Sequence, residues 1–259
     1  KNSKTRSRKN ISQHYDLSNE FFKLMLDDTM MYSSAVFESH EDDLHTAQKR
    51  KIERLAQKLR IKKGAKVLEI GSGWGAMALY LAKEMDCEVT TVTLSNEQKA
   101  LCHERFQLED VEHKINVLLK DYRDLEGSFD AIISIEMFEA VGAEYFHIFF
   151  KKCESLLKPS GVLAMQVITI PDQRYKAYSK STDFIQKYIF PDGHLPSVSK
   201  VLDVTTNHTR LNLVHMEEFA EDYAKTLRLW DKNFTEKIEQ VKALGFDEYF
   251  IRMWKMYLN

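Results

Sequence analysis

With 259 residues, the chain suits one large domain or one domain with a lid, and a hydrophobic share of 44% can fill a sizeable core. A formal net charge of −2 disfavours nucleic acid as a partner, and four prolines argue against long disordered linkers. Cys87, Cys102 and Cys153 form no CxxC pair, which disfavours a disulfide framework or a zinc site. No apolar run reaches the length of a membrane span and no signal peptide is visible, so the expectation is a soluble, cytoplasmic protein without a metal.

The first nine residues carry Lys1, Lys4, Arg6, Arg8 and Lys9 with no acid. Such an arm reads as a solvated terminus or as a contact for anionic lipid headgroups. Residues 17–26 read as a short helix, and the apolar, hydroxyl-rich run 30–37 as a buried loop. A helix is expected over 46–59, with Ala47, Ile52, Leu55, Ala56 and Leu59 at helical spacing and Lys/Arg side chains between them. Residues 66–70 form a first strand, followed at once by the run Gly71-Ser72-Gly73-Trp74-Gly75 and a helix over 75–85. A strand, a glycine turn and a helix start make the nucleotide-binding corner of a doubly wound sheet.

Further strands are expected at 88–94, 115–119, 129–135 and 161–168, with helices at 96–106, capped by Ser95, and at 143–157. This alternation predicts an α/β fold: a doubly wound, mostly parallel, Rossmann-like sheet with N-terminal helices. From Pro171 onward strand signals stop, and an aromatic-rich helical pattern interrupted by a turn-rich loop at 190–196 predicts a cap over the sheet's carboxyl edge. The expected divisions are an N-terminal helical segment at 1–62, a core at 63–170 and a cap at 171–259.

Gly71, Gly73 and Ala76 formally satisfy G-x-G-x-x-G/A, so the glycines alone leave a dinucleotide open. The second strand decides against it. Its end reads Thr93-Leu94-Ser95-Asn96, and the next acid, Glu97, already lies in the helix, where a dinucleotide site wants an acid for the ribose. Glu69 in the first strand, the glycine run and a hydroxyl-lined second strand fit S-adenosylmethionine, a cationic ligand without phosphates.

Several runs then stand in one order: His14-Tyr15-Asp16-Leu17-Ser18-Asn19, Met31-Tyr32-Ser33-Ser34-Ala35, Val67 to Gly75, Val92-Thr93-Leu94-Ser95-Asn96-Glu97-Gln98, Asp121-Tyr122-Arg123-Asp124, Met137-Phe138-Glu139-Ala140-Val141-Gly142 and Lys187-Tyr188-Ile189-Phe190-Pro191. Together they resemble the cyclopropane-fatty-acyl-phospholipid synthases and mycolic acid cyclopropane synthases, a family of class I S-adenosylmethionine-dependent methyltransferases. Plant alkaloid N-methyltransferases resemble the glycine-loop region but match the Tyr-Ser-Ser-Ala and Tyr-Arg-Asp segments less well. The resemblance implies S-adenosylmethionine against Tyr32, Ser33, Gly71, Gly73, Thr93, Leu94, Gln98, Tyr122 and Ile135. Thr93 and Gln98 can bond a ribose, and Tyr122 offers a ring to adenine.

An alkene is a weak nucleophile; methylating it leaves a carbocation, and ring closure needs a base to take a proton from the new methyl. The resemblance implies a bound bicarbonate as that base, held by Ser34, Glu139, Gln166 and Tyr223 and by the backbone amide of Ile168. Ser34 stands where many members have cysteine and Gln166 where many have histidine, replacements expected to be shared with plant-type members. Without a well-placed base the cation ends instead as a methyl or methylene branch. Taken alone, Tyr223 on an amphipathic helix reads as core; its place between Asp222 and Thr226 in the pattern makes it a site residue.

The implied substrate is an unsaturated acyl chain of a phospholipid, reached from the membrane surface by a peripheral protein. Other readings are methylation of an amine and a catalytically silent S-adenosylmethionine-binding subunit. Family members continue into two more strands, so a five-stranded sheet with an uncovered edge is expected here, and such an edge invites pairing with another chain, a homodimer included.

Overall fold

The computed structural model describes residues 18–259. The basic arm, His14 and the first residue of the expected 17–26 helix lie outside these residues. Helix α1 (Asn19–Met25) starts where the Ser18 hydroxyl accepts the Phe21 N–H at 3.3 Å, and α2 (Leu44–Lys58) where Asp43 accepts the Thr46 N–H at 2.7 Å. Strand β1 (Lys66–Ile70) is buried on both faces, as a central parallel strand must be. It leads through the glycine turn to α3 (Ala76–Lys83), then β2 (Glu88–Thr93), α4 (Asn96–Leu108), β3 (Ile115–Leu119) and β4 (Phe129–Ile135). Helix α5 (Phe146–Leu156) and β5 (Leu157–Gln166) complete the sheet.

All strand pairs are parallel and the order is β3-β2-β1-β4-β5, a five-stranded sheet among the described residues. Order reverses between β1 and β4, and ligands bind at the carboxyl ends of strands at such a reversal. The alternating side chains of β1 separate two cores. Val67 joins Ala131 and Ile133 against Ile52, Leu55, Met77, Leu81 and Phe106, while Leu68, Ile70 and Ile132 face Phe138, Phe146, Phe149 and Phe150. Gly75, at φ +89, opens α3; a Cβ there would sit 2.7 Å from the Phe106 ring, so helix and turn could not pack this closely with another residue.

Several expected boundaries shift, three of them with a visible physical consequence. The helix expected at 46–59 starts at Leu44, because Asp43 is the better cap. The helix expected from 143 opens as a 3₁₀ turn over Ala143–Tyr145 before α5. The fifth strand begins at Leu157, which pairs with Phe129 ahead of a register shift, and stops at Gln166 rather than residue 168.

Beyond β5 the chain forms α6 (Asp172–Tyr178), a π-helical turn over Ile185–Ile189, α7 (Val198–His208), α8 (Ala220–Glu236), α9 (Ile238–Ala243) and α10 (Glu248–Leu258). Residues 209–219 between α7 and α8 carry no regular structure, although the helical pattern runs through them. No helix among the described residues is long and apolar enough to cross a membrane. A third core joins α1 to α8 and α10. The Phe21 ring lies 4.9–6.1 Å from those of Phe22, Phe234, Phe246, Phe250 and Trp254, mostly edge to face. The N-terminal segment and the carboxyl-terminal helices thus share one apolar centre.

Phe21→Ala empties that centre. It is expected to cost about 3–5 kcal/mol in the urea unfolding free energy of the protein.

Candidate functional site

The carboxyl ends of β1, β2 and β4 open into a cavity of about 480 Å³ roofed by the cap. Every residue expected at the cofactor lines it: Tyr32 and Ser33 from the loop after α1, Gly71 and Gly73 from the turn, Thr93 and Leu94 at the end of β2, Gln98 on α4, Tyr122, and Ile135 at the end of β4. The amides of Gly71 and Ser72 both donate to the Val92 carbonyl, at 3.1 and 2.9 Å, and lock the turn against β2. A Cβ on Gly71 would lie 3.1 Å from Met137, whereas Gly73, at φ +49, meets nothing within 4 Å. Backbone there is bare to a ligand.

Two ribose contacts were expected from Thr93 and Gln98, and the structure pairs these residues with each other. The Thr93 hydroxyl donates to Gln98 Oε1 at 2.7 Å and accepts the Ser95 N–H at 3.1 Å. A hydroxyl has one proton, so the donor remaining for a ribose is the Gln98 amide Nε2. Ser95 caps α4 as expected, accepting the Gln98 N–H. Beneath the turn, the Glu69 carboxyl accepts the Thr91 hydroxyl at 2.5 Å, and burial pushes its pKa up to about 8. The Arg123 guanidinium beside the cavity is held by both oxygens of Asp121, at 2.8 and 2.7 Å. A bare glycine turn, a buried acid and a neutralised guanidinium fit a cationic, phosphate-free ligand.

A second polar cluster lies where β4 and β5 end. Glu136, at φ +47, follows β4 directly, and its N–H donates to the Gln166 carbonyl at 2.8 Å. Its Oε1 accepts the Ser34 backbone N–H at 2.9 Å and the Gln166 Nε2 at 2.9 Å. That same Nε2 donates to the Ser34 carbonyl at 3.0 Å, while the Ser34 hydroxyl donates to the Ala35 carbonyl at 3.1 Å. Behind this loop the Lys51 ammonium donates to the Ser33 hydroxyl at 2.5 Å, fully buried. Lys51 is one of the Lys/Arg side chains that the sequence places between the apolar positions of its helix. Burial lowers its pKa to about 7, against the pull of Glu136, while burial raises Glu136 against the pull of Lys51.

Glu139 faces the same space. Its Oε1 accepts the Ile168 N–H at 2.5 Å and its carbonyl accepts the His194 N–H at 2.8 Å, while Oε2 is buried without a hydrogen-bond partner. Burial first, and Glu136 second, push its pKa up to about 8, so Glu139 holds its proton at neutral pH. Tyr223 is half-buried beside the buried Tyr257, whose hydroxyl accepts that of Tyr32 at 3.1 Å, and desolvation raises both Tyr223 and Tyr257 well above the usual phenol range. The rings of Tyr32 and Trp230, 5.3 Å apart, and of Phe190 continue this wall.

The five residues expected at a bicarbonate therefore divide. Glu139, Ile168 and Tyr223 line the cavity; Ser34 and Gln166 do not. The Gln166 Nε2, the Ser34 hydroxyl and the Ile168 amide already donate to protein acceptors, and the group facing Ser34 and Gln166 is itself a carboxylate. These residues do not fit a further anion held by those donors. Sequence reasoning missed Glu136, Lys51 and Tyr257. An acid directly after a buried strand at the carboxyl edge is the signal that could have found Glu136.

A family model described as mycolic acid cyclopropane synthetase matches residues 2–259. The chain is 41% identical to the tuberculostearic acid methyltransferase UfaA1 of Mycobacterium tuberculosis, over 99% of its own length and 61% of that protein's. It is 38% identical to the cyclopropane-fatty-acyl-phospholipid synthase of Escherichia coli, over 95% of its own length and 62% of that protein's. The chain thus spans about three-fifths of these curated relatives. Among solved structures, mycolic acid cyclopropane synthase CmaA1 complexed with SAH and CTAB superposes with a TM-score of 0.89 at 30% identity, covering 97% of this chain and 90% of that one.

Two measurements test the site's electrostatics. Glu69 is an acid raised in the fold, so its contribution to stability is complete below the ordinary carboxylate pKa of 4.5 and is lost as pH rises through about 8. Glu69→Gln is expected to flatten the fall of the urea midpoint across that window. Gln98→Ala removes the remaining amide donor and is expected to weaken S-adenosylhomocysteine about tenfold by calorimetry, the worth of one hydrogen bond.

Proposed function

The chain belongs to the mycolic acid cyclopropane synthetase family, and on that premise we propose that it is an S-adenosylmethionine-dependent methyltransferase acting on the double bond of an unsaturated fatty acyl chain of a phospholipid. The observation that carries this reading is one cavity joining a bare glycine turn to an aromatic, acid-bearing interior. When bound, S-adenosylmethionine supplies an electrophilic methyl on a sulfonium. Gly71 and Gly73 would admit its methionine part, Gln98 its ribose, and Tyr122 its adenine, with the Glu69 carboxyl beneath the turn as an acceptor wall that adds no positive charge.

The interior suits an apolar chain and a positive charge arising within it. Tyr32, Phe190, Tyr223 and Trp230 line the cavity with ring faces and edges that stabilise a cation where water is excluded. Glu139, which keeps its proton, orients and donates; it adds no second negative charge beside Glu136. No step is routed through bicarbonate, whose expected donors are engaged elsewhere.

Cyclopropane is the product placed first, with a methyl- or methylene-branched chain as the second reading. The relative named a methyltransferase stands beside the one named a cyclopropane synthase, so both product classes belong in the test. Docking at a membrane surface is part of the proposal. Leu213, Val214 and Met216 stand exposed on the irregular segment before α8 and form a candidate contact for lipid.

The protein is to be incubated with vesicles of a mono-unsaturated phospholipid and methyl-labelled S-adenosylmethionine, and the released fatty acids analysed by mass spectrometry and proton NMR. Label in an acyl chain heavier by one CH₂ is expected. Upfield ring protons identify cyclopropane and vinylidene protons a methylene branch. Label transferred only to an amine, or S-adenosylhomocysteine binding without any product, overturns the reading.

A further inference from the structure

Ser34 and Gln166, implied by resemblance as holders of an anion, do hold one: the carboxylate of Glu136. Its Oε1 is fixed by two donors, at 2.9 Å from the Ser34 amide and 2.9 Å from Gln166 Nε2, while Oε2 enters neither bond. Glu136 lines the cavity, and its two holders sit behind it. A carboxylate anchored through one oxygen at the wall of a substrate cavity has the placement of a general base, since its second oxygen is not used by the bonds that anchor it. The neighbouring charges agree. Burial raises both carboxyls; Lys51, buried behind the Ser33–Ser34 loop, counters it at Glu136, whereas at Glu139 the charge of Glu136 adds to it.

Resting on the acyl-chain methylation proposed above, we infer that Glu136 is a catalytic residue, the base that removes the proton released by methylation, so that the chain supplies the base itself. The alkene's π pair forms the bond to the incoming methyl as the carbon–sulfur bond breaks and its electrons leave with sulfur. The other alkene carbon is left cationic. Glu136 Oε2 takes a proton from the new methyl group, and the freed C–H pair closes the third carbon–carbon bond of a cyclopropane. After a hydride shift to that carbon, loss of the same proton gives a methylene branch instead. Either route leaves Glu136 as a neutral carboxylic acid, which returns its proton to solvent before the next turnover.

The alternative role for Glu136 is structural, pinning the Ser34 loop to β5. Glu136→Gln separates the two, because an amide oxygen accepts the Ser34 and Gln166 bonds but is no base. The variant is expected to lose about a hundredfold or more in kcat for vesicle-borne lipid, with S-adenosylhomocysteine affinity within about twofold of wild type. A wild-type rate unchanged in carbon-dioxide-stripped buffer, with or without added bicarbonate, is the second expected result and needs no variant. Glu136→Ala should regain part of its rate with added formate, a small carboxylate.

Retention of kcat within about threefold in Glu136→Gln overturns the inference. So does a wild-type rate that collapses without bicarbonate and returns with it. Either result leaves the lipid reading standing, whereas wild-type protein that binds S-adenosylhomocysteine and never modifies lipid removes both.

Discussion

The Gln166 side-chain amide is the tie on which the site depends. From the last residue of β5 its nitrogen reaches the Ser34 carbonyl and the Glu136 carboxylate, and the Ser34 amide closes the triangle on the same oxygen. One glutamine thus joins the loop after α1, the end of β4 and the end of β5. Ala35 continues the join, donating to the Thr226 hydroxyl of α8 at 3.0 Å. Sheet, N-terminal loop and cap meet at bonds buried from water, where a lost partner costs more than a made bond contributes. Three donated bonds converging on Ser34 and Glu136 favour one geometry, although Gln166 Oε1 is itself buried without a partner.

That geometry confines three titratable groups, and burial draws each of them toward its neutral form. Lys51 is lowered by burial, Glu139 is raised by burial and by its neighbour, and Glu136 is raised by burial while Lys51 and two hydrogen bonds pull it back toward its charged form. Two adjacent carboxyls cannot both ionise cheaply in a dry site, so one proton is shared out unequally. Tyr223 and Tyr257, raised far above neutrality, remain donors and acceptors without charge. The interior therefore carries little net charge before a cation arises in it.

The sheet was legible because its signals are local. Short β-branched runs at even spacing, glycines between strand and helix, and the Ser95 cap recur where physical chemistry demands them. The cofactor wall followed, since the carboxyl ends of strands are known once the strands are. The polar cluster was half legible. Glu139 and Tyr223 came from motif resemblance, but Lys51 looked like one more surface cation on an amphipathic helix. Its burial is dictated by Ser33 and Glu136, far away in sequence. Glu136 shows the same limit: periodicity ends β4 at Ile135 and says nothing of a carboxylate turned by a positive φ onto Gln166. Thr93 and Gln98 were assigned together to a ligand, and geometry spent one on the other.

The cap carries a burden that no single residue of the cavity can. A carbocation beside water is trapped as an alcohol, so a base decides the product only while water is kept out. Exclusion rests on Tyr32, Trp230 and Tyr257, and these rings are set by the apolar centre where α1 packs on α8 and α10. Phe21 does not line the cavity, yet its ring meets Trp254, and Trp254 lies 5.2 Å from Tyr257. That chain of rings is distinct from the cores on either side of β1 that hold the sheet. On the reading proposed for the site, product choice depends on how α1 packs on α8 and α10 as well as on the acids and glycines of the sheet.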